Sequence, residues 1–99
     1  MELCDLSAFE IATKVKRGIL SASEVLDSVL ERIQMVDGRP GSLEPGEITA
    51  EDQAHVHAFI TPTVERARQQ ARQVDARIAA GEPVGPLAGV PFTVKDIYC

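Results

Sequence analysis

Ninety-nine residues suffice for one small domain, and 44% hydrophobic with 25% charged residues is the make-up of an ordinary globular protein, not of a disordered tract. A formal net charge of -5 removes the basic footprint that an autonomous nucleic-acid binder needs. With 4% aromatic residues and no tryptophan, the core has to come from Val, Ile, Leu and Ala.

The opening Met1-Glu2-Leu3-Cys4-Asp5 lacks the basic region of a signal peptide, and no apolar run approaches transmembrane length. A cytoplasmic protein without a membrane partner is the expectation. Cys4 and Cys99 stand at opposite ends with no C-x-x-C spacing. A disulfide between them stays open, and free thiols are the expected state in a chain without a secretion signal.

Ser7-Ala8-Phe9-Glu10 is a capping box, in which the serine accepts from the third helical N–H and the glutamate reaches back. Ala8, Ile11, Ala12 and Val15 then form one helical face, and Gly18 is placed to end it. Ser21 and Glu24 make a second box. Ala22, Leu26, Val29, Ile33 and Val36 follow at helical spacing, with Val25 and Leu30 widening the stripe. Residues 1–36 therefore predict a helical hairpin.

Residues 37–54 form an acidic Gly/Pro loop. Gly38, Pro40, Gly41, Pro45 and Gly46 punctuate a run containing Glu44, Glu47, Glu51 and Asp52, and Thr49 can start one helical turn. Residues 55–99 read as strand–helix–strand. Val56, Ala58 and Ile60 alternate with His55, His57 and Phe59, as in a short strand. Thr61-Pro62 then opens a long helix with the stripe Val64, Ala67, Ala71, Val74 and Ile78, which Gly81 stops. A unit of this length favours parallel pairing through a right-handed crossover, hence an α/β fold whose two strands begin a larger sheet.

The last fifteen residues carry the chemistry. Gly85 to Pro91 has too many breakers for a helix, while Phe92, Thr93 and Val94 suit a buried strand. Lys95 and Asp96 follow at once. A strand-end lysine facing water is the default, yet a lysine stripped of water shifts readily toward its basic form. His55 and His57 point the same way on a strand, but no third ligand stands at motif spacing, so they read as surface histidines. Arg66, Arg68, Arg72 and Arg77 are interleaved with Glu65 and Asp75, a solvated, salt-bridged helix face.

The ordered string Gly85, Pro86, Leu87, Gly89, Pro91, Lys95 and Asp96 resembles the lysine motif of the amidase signature family. The resemblance covers most of the chain but only the start of the family's domain, so the fold it implies is the N-terminal portion of the amidase signature fold. The 37–52 segment is longer than the family's usual connection and looks like an insertion. The tail Lys95-Asp96-Ile97-Tyr98-Cys99 and the preceding helices look most like the branch of tRNA-dependent amidotransferase A subunits.

That resemblance implies a Ser–cis-Ser–Lys triad in which Lys95 takes a proton from a bridging serine, which activates a nucleophilic serine toward an amide carbonyl. Both serines belong to a Gly/Ser-rich stretch that these residues lack. Ser7 and Ser21 are caps, and Ser23, Ser28 and Ser42 sit in unlike contexts, so the 99 residues alone are expected to be inactive. Asp96 is assigned a structural role, as are Gly85, Gly89 and Pro91. The resemblance further implies glutamine as substrate, B and C partner subunits, and misacylated Glu-tRNA(Gln) or Asp-tRNA(Asn) bound through the complex. ATP and Mg²⁺ would be used on the B subunit, with no cofactor in this chain. A stand-alone amidase of the same family and a non-catalytic helical docking module are the rival readings.

Overall fold

The computed structural model describes residues 2–41 and 46–95. A single 3-10 turn, Leu3–Asp5, precedes four helices: α1 Ala8–Lys16, α2 Ala22–Asp37, α3 Ala50–Gln53 and α4 Val64–Ala79. Both predicted capping serines accept their expected bond, and the reciprocal half of the box forms at Ser7 but not at Ser21. Ser7 accepts from Glu10 N with Glu10 reaching back to the Ser7 N–H, and Ser21 accepts from Glu24 N at 3.0 Å. Gly18, at φ 74°, closes α1 with the paired bonds Gly18 N to Val15 O and Ile19 N to Lys14 O. Gly81, at φ 72°, closes α4 in the same way through Ile78 O and Arg77 O. The left-handed backbone these endings need is cheap only for glycine.

The core lies where α1, α2 and α4 meet. Ile11 and Val15 of α1 and Ala22, Val25 and Leu26 of α2 are buried. Ala71, Val74 and Ile78 of α4 pack on this cluster with Leu6, Leu20 and Val90. The predicted stripes are therefore the faces that pack, except at their far ends, where Ala8, Val36 and Val64 stay exposed. At 15.6 Å the radius of gyration exceeds the ~13 Å of a compact hundred-residue domain, so the molecule is elongated about a small core.

Two expectations need correction. Residues 55–60 do not form a strand. Val56 N and His57 N donate to Val36 O and Asp37 O at 3.1 and 2.9 Å, and His57 sits at φ 54°. Helix-end carbonyls have no intrahelical donor, and here the 55–59 segment wraps the end of α2 to supply it. Val56, Ala58 and Ile60, the apolar half of its alternation, stay exposed, while His55, His57 and Phe59 are half-buried. Residues 92–94 likewise form no strand, because no described segment pairs with them and a strand exists only beside a neighbour. Helix α4 also starts at Val64, past the Thr61-Pro62 pair, with Thr63 at its cap but no side-chain cap bond. The helical turn expected after Thr49 is α3, with a complete capping box between Thr49 and Asp52.

Among the described residues no helix is long and apolar enough to cross a membrane.

Candidate active-site arm

The segment 85–95 leaves α4 and returns across the core before running outward. Ala88 N donates to Gly85 O at 3.2 Å and Val90 N to Leu87 O at 3.1 Å, two successive turns in the Pro/Gly stretch. Gly89, at φ 87°, lies flat on Val15. A Cβ there would stand 2.8 Å from Val15 Cγ1 and 2.9 Å from Cγ2, and Val15 is fully buried and cannot yield. Val90 enters the core cluster next to it. Gly85 has open space where its Cβ would go. Of the two motif glycines, only Gly89 is sterically required.

Beyond this anchor the arm turns away from the helices. Phe92 is 81% and Val94 66% exposed, and Lys95 is exposed as well. Four residues lie between Val90 and Lys95, so the five steps from one to the other span at most about 18 Å of extended chain. The helical core therefore fixes where the arm starts and limits how far its lysine reaches. No hydrogen bond or ion pair joins Lys95 to another described residue. Asp96, Ile97, Tyr98 and Cys99, and with them the expectation for Asp96, lie outside the described residues, as does Ser42.

The other serines are engaged structurally. Ser23 Oγ donates to Asp75 Oδ2 at 2.7 Å, and Ser28 Oγ accepts from Cys4 N at 3.1 Å. Asp75 does more than sit on a solvated face. Its carboxylate also accepts from Ala22 N at 2.6 Å and Ser23 N at 3.1 Å, plugging the N-terminus of α2 from α4. Around it the arginine face is as expected: Arg68 pairs with Asp27 at 2.6 Å and Arg72 with Glu65 at 3.3 Å, all exposed.

The histidines are not simple surface groups. His55 Nδ1 lies 2.8 Å from Glu51 O, while both ring nitrogens of His57 meet backbone carbonyls. Asp37, expected to open the loop, ends α2 instead and is 5% exposed, with its carboxylate accepting from Ala58 N and Phe59 N. Asp75 and Asp37 are the working residues that sequence reasoning misses. A lone aspartate on a polar helix face, or before a Gly, carries no local sign of the distant N–H groups it will meet.

The profile of the family described as Amidase matches residues 48–99. The chain is 48% identical over 96 residues to the glutamyl-tRNA(Gln) amidotransferase A subunit of Salinispora arenicola (strain CNS-205), a match covering 97% of this chain and 16% of that protein. It is 46% identical to the protein of the same name from Salinispora tropica over the same shares, and 39% identical to that of Moorella thermoacetica over 100% of this chain and 17% of the relative. The chain thus spans about a sixth of the length of the curated relatives it matches. No solved structure matches it.

Proposed function

Because the chain belongs to the Amidase family, we propose that it delivers the lysine of an amide-hydrolysing centre, within the A subunit of a glutamine-dependent, tRNA-linked amidotransferase. The observation that carries this reading is identity of 48% to a protein of that name across 97% of the chain, joined to an arm whose ordered motif ends in Lys95.

Lys95 Nζ takes a proton from a bridging serine, which in turn deprotonates the nucleophilic serine. That serine attacks the carboxamide of glutamine, and backbone N–H groups hold the developing oxyanion. The tetrahedral intermediate collapses to the acyl-enzyme as the C–N bond breaks, and ammonia leaves with the proton returned through the serine relay from Lys95. Water then releases glutamate. Both serines come from outside residues 1–99, so these residues contribute the base and its mounting and have no turnover of their own. The ammonia serves conversion of misacylated Glu-tRNA(Gln) or Asp-tRNA(Asn), with B and C subunits as partners and ATP and Mg²⁺ used on the B subunit.

Lys95→Ala in the full native polypeptide, assayed with its partner subunits for ammonia release from glutamine, should lose about 10²–10⁴-fold in kcat, the range of a general base. Lys95→Arg should not restore it, because a guanidinium holds its proton. Retention of wild-type glutaminase activity by Lys95→Ala would sink the proposal. Hydrolysis of simple amides by the polypeptide alone, with no response to added partner subunits, would reassign it to a stand-alone amidase.

A further inference from the structure

Away from Lys95, the end of α2 carries a second arrangement that amide hydrolysis does not use. We infer that His57 is a proton-operated clasp: as imidazolium it ties the backbone after α2 to the end of α3, and on losing a proton it lets one of them go.

The geometry comes first. His57 Nδ1 lies 2.5 Å from Arg39 O, and Nε2 lies 2.8 Å from Asp52 O. Carbonyl oxygens only accept, so both bonds exist together only when both ring nitrogens carry hydrogen. A neutral ring would turn a lone pair onto one carbonyl and forfeit that tie. The backbone is committed to this placement: His57 is the only non-glycine residue at positive φ among those described. Gly38 and Gly41 leave the room. A Cβ on Gly38 would stand 2.8 Å from His55 Cβ, and one on Gly41 would stand 2.8 Å from His57 O.

The surroundings favour charge on the ring. The carbonyl of Arg39 is the main influence raising His57 above its ordinary value, desolvation opposes it, and the Asp52 carbonyl and the carboxylates of Asp52 and Asp37 add to the rise. Asp52 Oδ1 is 3.7 Å from Nε2. Asp52 itself is held down at about 2, first by the Thr49 backbone N–H and further by Arg39, so it stays anionic wherever His57 titrates. The charged and titratable groups around the ring are Asp37 from α2, Arg39 from the segment after it, Asp52 from α3, and His55, whose ring stands edge-on at 6.1 Å.

The sign follows from the raised value. The clasp contributes fully below the ordinary histidine range and loses its contribution as pH rises through the folded-state value. What it holds is the 55–59 wrap, and Val56, Ala58 and Phe59 of that wrap form one wall of a shallow, mainly apolar cavity of about 460 Å³ beside Cys4, Arg32 and Ile33. Protonation of His57 thus sets how firmly that wall is fixed.

Hydrogen exchange of the full native polypeptide, followed across about pH 5 to 8 and corrected for intrinsic exchange, tests the clasp at the amides of Gly41, Val56, His57, Ala58 and Phe59. Protection there should fall severalfold as pH rises, while the amides of α1 hold theirs. His57→Gln should show the lower protection at every pH and no slope, and His55→Gln should keep the wild-type slope. A flat wild-type profile, an undiminished slope in His57→Gln, or loss of the slope in His55→Gln alone would overturn the inference. The NMR titration of the His57 ring is independent of any variant: a midpoint above that of an ordinary histidine is expected, and one at or below it would also overturn the clasp.

Discussion

In the α1–α2–α4 layer, most helix ends have a partner within the layer: Ser7 and Ser21 at two N-termini, Asp75 reaching from α4 into α2, and Gly18 and Gly81 at two C-termini. From Pro91 to Lys95 the arm has no hydrogen bond to another described residue, and its apolar side chains face outward. The layer supplies most of its own polar pairing, with the end of α2 met by the 55–59 wrap, whereas the arm beyond its anchor has none among the described residues. Placing a chemical group on an arm anchored at one point fixes its origin and leaves its orientation to the surface that receives it.

That contrast is sharpest at Gly89, where the two regions touch. Gly89→Ala must hold an alanine in the left-handed region and push a methyl group into buried Val15 at the same time. The expected loss is about 2–4 kcal/mol by urea unfolding of the native polypeptide. Activity should fall along with stability, because displacing the anchor moves the start of the Lys95 arm. A cost below about 1 kcal/mol would mean that the arm can lift off the core without penalty, and the contrast would break.

The layer is legible in the sequence and the arm only in part, for a physical reason. Ser7–Glu10, Ser21–Glu24, Thr49–Asp52 and the glycine stops act over three to five residues, so the sequence displays them directly. The stripes of α1, α2 and α4 are likewise local periodicities. The strand expected at 55–60 fails because the alternation of Val56, Ala58 and Ile60 does not mark the side that packs. All three are exposed while His55, His57 and Phe59 are half-buried, and what decides the outcome is the set of bare carbonyls at the end of α2. The strand expected at 92–94 depends on a neighbour that no residue within it specifies. In the arm, Gly89 is visible as a motif residue but its contact with Val15, seventy-four positions earlier, is not.

Asp75 tests the layer's side of the comparison. By sequence it is one charge among several on a polar helix, yet it accepts three hydrogen bonds at the start of α2. Asp75→Ala should cost about 1–3 kcal/mol, the range for an N-terminal cap with charge-assisted bonds. Removing Asp27, whose exposed pair with Arg68 has no such role, should cost under about 1 kcal/mol. Equal costs for the two would show that the layer is held by general surface charge and not by this specific plug.

The smallest effect is expected at Gly85, and it is the control that gives Gly89 its meaning. Both glycines belong to the same motif and lie four residues apart, but Gly85 does not occupy the left-handed region and meets nothing within contact distance of an added Cβ. Its carbonyl accepts from Ala88 N, a backbone bond that a methyl side chain leaves in place. Gly85→Ala should therefore lie within about 0.5 kcal/mol of wild type, or gain up to about 1 kcal/mol by restricting the unfolded chain. If glutaminase activity in the full polypeptide falls sharply with Gly85→Ala while stability holds, the requirement at that position comes from a surface the arm meets beyond the helical layer. Gly85 would then report the receiving surface and Gly89 the anchor.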